Sequence, residues 1–298
     1  MDADAPLSSA VPPKDRAFEI RPTPLGYLGA FSTRAIPRGT LVLNDQPLFT
    51  LDAPLQAYLF SRAQAGQGGG PTPVEGEEGD DDDDDEPPKD FDDFLDRTIR
   101  TMLSCKTREQ RDEFWALANT RPDLPPAQGI FATNAVQTSG ETGGLFPLLS
   151  RFNSSCRPTL SRPAWDPSRA SSRLYALRDI QPGEELTWTY LSVTFEFEGV
   201  DARRDEMRRV FEFECGCPAC GEGLMSDEER GRSEKRLLQL RRLKERLKGG
   251  YREGEGREQS DEDREARRAL LKRMAELSRE EGLWETADRL DKALEAET

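Results

Sequence analysis

The chain of 298 residues contains no histidine. That absence removes the commonest general base, and with it the Ser-His and Cys-His nucleophile arrangements. An enzyme built on this chain has to work by positioning, by tyrosine or carboxylate chemistry, or through a cofactor. Imidazole is also missing from any metal site, so zinc here must bind thiolates, with or without carboxylates. Cysteine is scarce, at five residues. Met1–Arg16 lacks the apolar stretch of a secretory leader. Both points argue against a disulfide framework and lead to the expectation of a nuclear or cytoplasmic protein. No apolar run reaches the ~18 residues of a bilayer span.

Charge is abundant. Charged residues make up 33% of the chain and hydrophobic ones 35%, and the net charge is −15. Mean hydropathy is −0.76. Such a chain repels nucleic acid and anionic membranes and attracts basic peptides, and it is read as a monomer. Part of it is too polar to belong to a core. Between Gly66 and Lys89, Gly/Pro-rich sequence passes into ten acidic residues from Glu75 to Glu86, six of them the run Asp80–Asp85. Like charges repel there and nothing apolar can be buried, so the stretch reads as a solvated spacer.

The remaining sequence divides by pattern. Residues 1–16 read as a disordered tail, 17–60 as the first part of a core, and 61–90 as the acidic loop. Residues 91–129 read as a helical insertion, 130–200 as the second part of the core, 201–222 as a cysteine-bearing segment and 223–298 as a helical region. In the core, strand candidates alternate with turns: Phe18–Ile20, the glycine turn Gly26–Thr33, Ile36-Pro37-Arg38-Gly39, then Leu41–Leu43. From Glu184 to Tyr190 a strand-like run of branched and aromatic residues follows a Pro182-Gly183 turn. The core is therefore expected to be mainly β, with α additions. Phe91–Thr120 carries apolar residues at helical spacing, and Ala202–Val210 reads as a short charged helix. Further on, Ser226 with Glu229 and Ser260 with Asp263 are helix starts. The first of these helices bears Leu237, Leu240, Leu243 and Leu247 and is expected to stop at Gly249-Gly250. The second carries Leu270, Met274 and Leu277, and a third runs from Trp284 to Leu294, which together suit a small antiparallel bundle.

Cys215-x-Cys217-x-x-Cys220 supplies three thiolates from one tight loop. A structural zinc wants four ligands in a tetrahedron. The fourth must be Cys105, in a helix-like segment, or Cys156, in the polar loop Arg151–Pro158; Cys156 is assigned, and Cys105 is read as a packed or surface thiol. One structural zinc is expected per chain, worth roughly 10 kcal/mol or more.

Taken in order, these motifs resemble a known family. A glycine turn is followed by Asn153-Ser154-Ser155-Cys156-Arg157-Pro158, then Gly183-Glu-Glu-Leu-Thr-x-x-Tyr190, then the cysteine triplet. Thr33–Gly39, Asn134-Ala135 and Gly144–Pro147 fit the same pattern. The chain resembles the SET-domain protein lysine methyltransferases, and within them the split-SET branch that includes the SET-and-MYND proteins. No cysteine lies between Thr50 and Cys105, so the MYND zinc module is not represented there. The resemblance implies an α+β fold: small twisted sheets with the Asn153 loop threaded as a pseudoknot, a helical insertion, a post-SET zinc loop and C-terminal helices. It implies S-adenosylmethionine as cofactor and a lysine-bearing protein segment, possibly of a histone, as substrate. Tyr190 matches the catalytic tyrosine. Gly29, Asn134, Asn153, Ser154 and Phe211 match cofactor-binding positions, and Cys156, Cys215, Cys217 and Cys220 match metal ligands. The chain departs from the family pattern at Tyr27, Leu28, Ser154, Thr159 and Phe211. A degenerate SET module acting as a scaffold is therefore the alternative to an enzyme.

Overall fold

The computed structural model describes residues 16–24, 26–51, 89–139, 142–221, 223–253 and 260–297. The expected tail and acidic loop lie outside the described residues, except for Arg16, Lys89 and Asp90. Among the described residues are nine short strands and seven α-helices, an α+β fold. The strands are β1 (Phe18–Pro22), β2 (Leu28–Ser32), β3 (Leu41–Asp45), β4 (Phe49–Leu51), β5 (Ala135–Gln137), β6 (Gly143–Leu145), β7 (Ala164–Asp166), β8 (Ser171–Tyr175) and β9 (Glu185–Leu186). The helices are α1 (Phe91–Ser104), α2 (Arg108–Trp115), α3 (Pro126–Asn134), α4 (Val200–Phe211), α5 (Asp227–Glu253), α6 (Asp261–Glu280) and α7 (Trp284–Glu295).

The chain forms two compact units. One comprises Asn44–Ser150 and Trp165–Ser172; the other comprises the described residues up to Leu43, together with Arg151–Ala164 and Arg173 onward. In the first, β6 lies between β4 and β5, with Phe49 and Ala135 both opposite Leu145. Phe49 stacks on Phe131 at 5.7 Å, and Ile99, Leu103, Phe114 and Ile130 close the core around them. The helical spacing over Phe91–Thr120 is realised as two helices. The break falls at Cys105–Lys106, because Thr107 and Gln110 make a reciprocal capping box that starts α2. Ile130–Asn134, expected to resume the β core, is the end of α3. Pro126 sits in the first turn of that helix, and buried Asp96 accepts from the backbone N–H groups of Ala127 and Gln128.

The second unit holds the sheet β1–β2–β9 and the C-terminal helices. Gly183 has φ +83° and Glu184 N–H donates to Gln181, so Pro182-Gly183 forms the expected tight turn. The strand expected over Glu184–Tyr190 is limited to β9, because beyond Leu186 the backbone bonds a loop instead of a strand. Both expected caps form, Ser226 with Glu229 and Ser260 with Asp263. The helix expected to stop at Gly249-Gly250 instead runs to Glu253; mid-helix glycine costs only about 1 kcal/mol. α5, α6 and α7 share a core of Leu237, Leu240, Leu271, Met274, Leu277 and Leu290, onto which Phe197 also packs.

Candidate active site and metal centre

Two passing segments of the second unit frame the site. Trp188 N–H donates to Asn153 O (3.1 Å), Ser155 N–H to Trp188 O (3.0 Å) and Leu160 N–H to Thr187 O (2.9 Å). Side chains add two rungs: Thr187 N–H donates to Thr159 Oγ1 (2.9 Å), and Tyr190 N–H to Ser154 Oγ (3.2 Å). The backbone groups that would have continued β9 are thus satisfied by the loop. Two of the departures from the family pattern, Ser154 and Thr159, each accept a hydrogen bond that fastens the two segments.

Asn153 is held in a defined sense. Its Nδ2 donates to Leu28 O (3.1 Å) and to Glu185 Oε1 (2.8 Å). Two acceptors at one end of the amide require the NH₂ there, which leaves Oδ1 as an acceptor at the other end. Gly29 lies against the same pair. A Cβ at Gly29 would stand 2.8 Å from Glu185 Oε1 and 2.9 Å from Asn153 Nδ2, so any side chain would displace them.

Tyr190 is half-buried, and its hydroxyl donates to Phe152 O at 2.9 Å. Burial first, and the nearby Glu185 carboxylate second, push the phenol above its ordinary value. The ring touches Trp188 (4.6 Å), Phe211 (5.4 Å) and Phe213 (6.4 Å). Glu212, the residue between the two phenylalanines, ends α4 in the left-handed conformation at φ 58° and turns the chain toward Cys215.

Cys156, Cys215, Cys217 and Cys220 are all buried, and their sulfurs lie within 4.8 Å of one another. The Cys156 sulfur is 3.8 Å from that of Cys215 and 3.5 Å from that of Cys220. Four sulfurs each about 2.3 Å from one metal ion stand about 3.8 Å apart, so the tetrad fits a tetrahedral metal ion. Held this close, Cys156 draws the thiols of Cys217 and Cys220 below the ordinary thiol range. Cys105 lies exposed and outside the tetrad.

Of the residues singled out from sequence, Gly29, Asn153, Ser154, Tyr190, Phe211 and the four cysteines therefore belong to one unit and connect through contacts. Asn134 belongs to the other. Its Nδ2 donates at the end of α3 to the carbonyls of Ala118 and Ile130, each at 2.7 Å. Glu185, Trp188 and Phe213 join the site though sequence reasoning gave them no role. Arg203 was also missed. On α4 it shares a helical spacing with Met207 and Phe211, and a charge on an otherwise apolar stripe was the available signal.

Buried Glu281, just past α6, accepts from Arg157, from Arg236 (2.8 Å) and from Ser233. Arg162 pairs with Glu285 at 2.6 Å and also donates to Leu191 O. The helical bundle is thus clamped to the loop that carries Asn153 and Cys156.

With this geometry in view, the sequence comparisons are specific. The SET domain family model matches residues 27–191, more than half of the chain, and the chain belongs to the SET-domain family. Among curated proteins it is 34% identical over 125 residues to the histone-lysine N-methyltransferase set5 of Schizosaccharomyces pombe, covering 42% of this chain and 38% of that protein. It is 31% identical over 118 residues to the protein-lysine N-trimethyltransferase SMYD5 of Mus musculus, covering 40% of this chain and 26% of the relative. It is 40% identical over 77 residues to the histone-lysine N-methyltransferase SMYD3 of Homo sapiens, covering 26% and 17%. The chain thus spans well under half the length of each of these three relatives.

Proposed function

We propose that this chain transfers a methyl group from S-adenosylmethionine to a lysine side chain of a protein, with one zinc ion in the cysteine tetrad. A single observation carries the reading. The tyrosine expected to be catalytic hydrogen-bonds the backbone of the residue preceding Asn153, and its ring packs on Phe211, so Tyr190, the Asn153 loop and Phe211 are in contact.

The sulfonium cofactor supplies an already activated methyl group, so the protein's task is alignment rather than acid–base chemistry. This suits a chain without histidine. Gly29 leaves room beside the backbone. Asn153, with its NH₂ committed, offers Oδ1 to a donor such as an ammonium group; Ser154 adds its backbone, and Phe211 offers an aromatic face. Tyr190 stays protonated at neutral pH and gives its hydrogen to Phe152 O. Its oxygen therefore has only lone pairs to offer, as weak acceptors for polarised C–H groups. The target amine, with a reference pKa of about 10.4, loses its proton more readily once desolvated. Zinc in the tetrad ties Cys156 to Cys215, Cys217 and Cys220, which keeps the Asn153 loop against the segment that bears Phe211. Residues 201–222 act as the metal-binding segment.

The net charge of −15 favours a basic lysine-containing segment over nucleic acid. Histones in the nucleus, or lysine-rich proteins in the cytoplasm, fit that chemistry, with the chain acting as a monomer. Calorimetry with S-adenosylmethionine on zinc-replete protein, paired with methyl transfer to a panel of histones and extract proteins, tests the reading. Binding heat is expected, together with transfer that Tyr190→Phe abolishes while binding persists. Absence of binding heat would reject the enzyme, and full activity of Tyr190→Phe would reject the tyrosine's role.

A further inference from the structure

Arg203 is 1% exposed, one of the largest fully buried side chains in the protein. A buried cation needs a counter-charge, since an unpaired one is held only at a cost of several kcal/mol. Its Nη1 donates to the carbonyl of Glu198, and its Nη2 lies 3.4 Å from the carbonyl of Ala219. Nε is buried with no hydrogen-bond partner. Among the described residues no carboxylate pairs with it, since the Glu198 side chain is turned to Arg241 at 3.1 Å. The remaining neighbour is sulfur: Nη2 stands 3.8 Å from the sulfur of Cys220.

The charge count explains the placement. Four thiolates around a divalent ion leave a net charge of −2 in a buried site. One guanidinium in contact halves it, and an N–H directed at sulfur withdraws electron density from that ligand. We infer that Arg203 is the built-in counter-ion of the thiolate tetrad and sets how tightly the metal is held. This rests on the metal reading above but assigns a residue outside the four ligands. The neighbouring Arg204 provides a control, because it faces Glu214 at 3.6 Å.

The test measures metal affinity in the 298-residue chain by competition with a chromophoric chelator, using zinc, and records the thiolate-to-metal charge-transfer band after cobalt substitution. Arg203→Met, which keeps length and loses charge, is expected to weaken zinc binding about 10- to 100-fold and to shift the cobalt band. Arg203→Lys is expected to recover most of the affinity, and Arg204→Met to bind like the parent. Parental affinity and an unshifted band in Arg203→Met would overturn the inference. Should that variant not fold, the unmutated protein decides by hydrogen exchange at the Arg203 guanidinium. Protection in the metal-loaded form that is lost on chelation supports the role, and equal exchange in both forms overturns it. An unmutated chain that binds neither zinc nor cobalt would instead sink the metal reading itself.

Discussion

Glu281→Gln removes one negative charge from the contact between the bundle and the Asn153 loop and leaves Arg157 and Arg236 facing a neutral amide. The carboxylate side chain is 3% exposed, against 13% for Arg157 and 25% for Arg236. Breaking a fully buried pair costs about 3–5 kcal/mol. Here both guanidinium groups keep some water and glutamine still accepts hydrogen bonds, so a loss of about 2–3 kcal/mol is expected. At about 2–4 °C per kcal/mol for a body of this size, the melting temperature should fall by about 4–12 °C. The pH dependence has a definite sign. Burial pushes the Glu281 carboxyl up, but Arg157 first, then Ser233 and Arg236, bring it below its ordinary value. A carboxylate so depressed contributes stability above the unfolded-state value of about 4.3, and that stability is lost as pH falls through the lower folded value. The gap between parent and variant should therefore be full at pH 7 and shrink below about pH 4. Urea unfolding of both proteins, metal-loaded and followed by tryptophan fluorescence, measures it. A gap under about 0.5 kcal/mol at pH 7, or one as large at pH 3.5 as at pH 7, would refute the reasoning.

Substitutions at three further positions bear on the site. Cys156→Ser should lower zinc from one per chain to substoichiometric, and retained stoichiometry by elemental analysis would exclude Cys156 as the fourth ligand. Gly29→Ala places a methyl 2.8 Å from Glu185 Oε1. It should cost about 1–3 kcal/mol and most of the cofactor affinity, read by thermal melts and calorimetry; parental behaviour in both would remove the close-approach argument. Glu185→Gln offers the Asn153 amide an ambiguous partner and should weaken cofactor binding several-fold, with Glu185→Asp weakening it less. Equal affinity in all three proteins would show that Glu185 does not orient Asn153.

How much of this was legible in the sequence depended on whether the signal was local. The cysteine triplet, the Pro182-Gly183 turn and the caps at Ser226 and Ser260 act within a few residues, and they form as expected. Cys156 was reached by elimination, being the one remaining thiol in a polar loop, and it lies in the tetrad. The strand expected over Glu184–Tyr190 failed because its partner is a loop some thirty residues earlier, and a β pattern does not say what accepts the hydrogen bonds. Asn134 matched a family position by order alone, and its NH₂ donates to the carbonyls of Ala118 and Ile130 at a helix end. Glu281 was invisible: a glutamate just past a charged helix looks solvated until the arginines that bury it are placed in space.

The clamp by Glu281 and Glu285 on Arg157 and Arg162 also has a consequence for the order of synthesis. A chain made from its N-terminus exposes those two arginines long before their acidic partners exist. The cysteines can be gathered once Cys220 has been added, but the loop holding the first of them stays unfastened on one side until Glu281 and Glu285 have been added. The fastening of this loop therefore lags the appearance of Arg157 by 124 residues of chain growth.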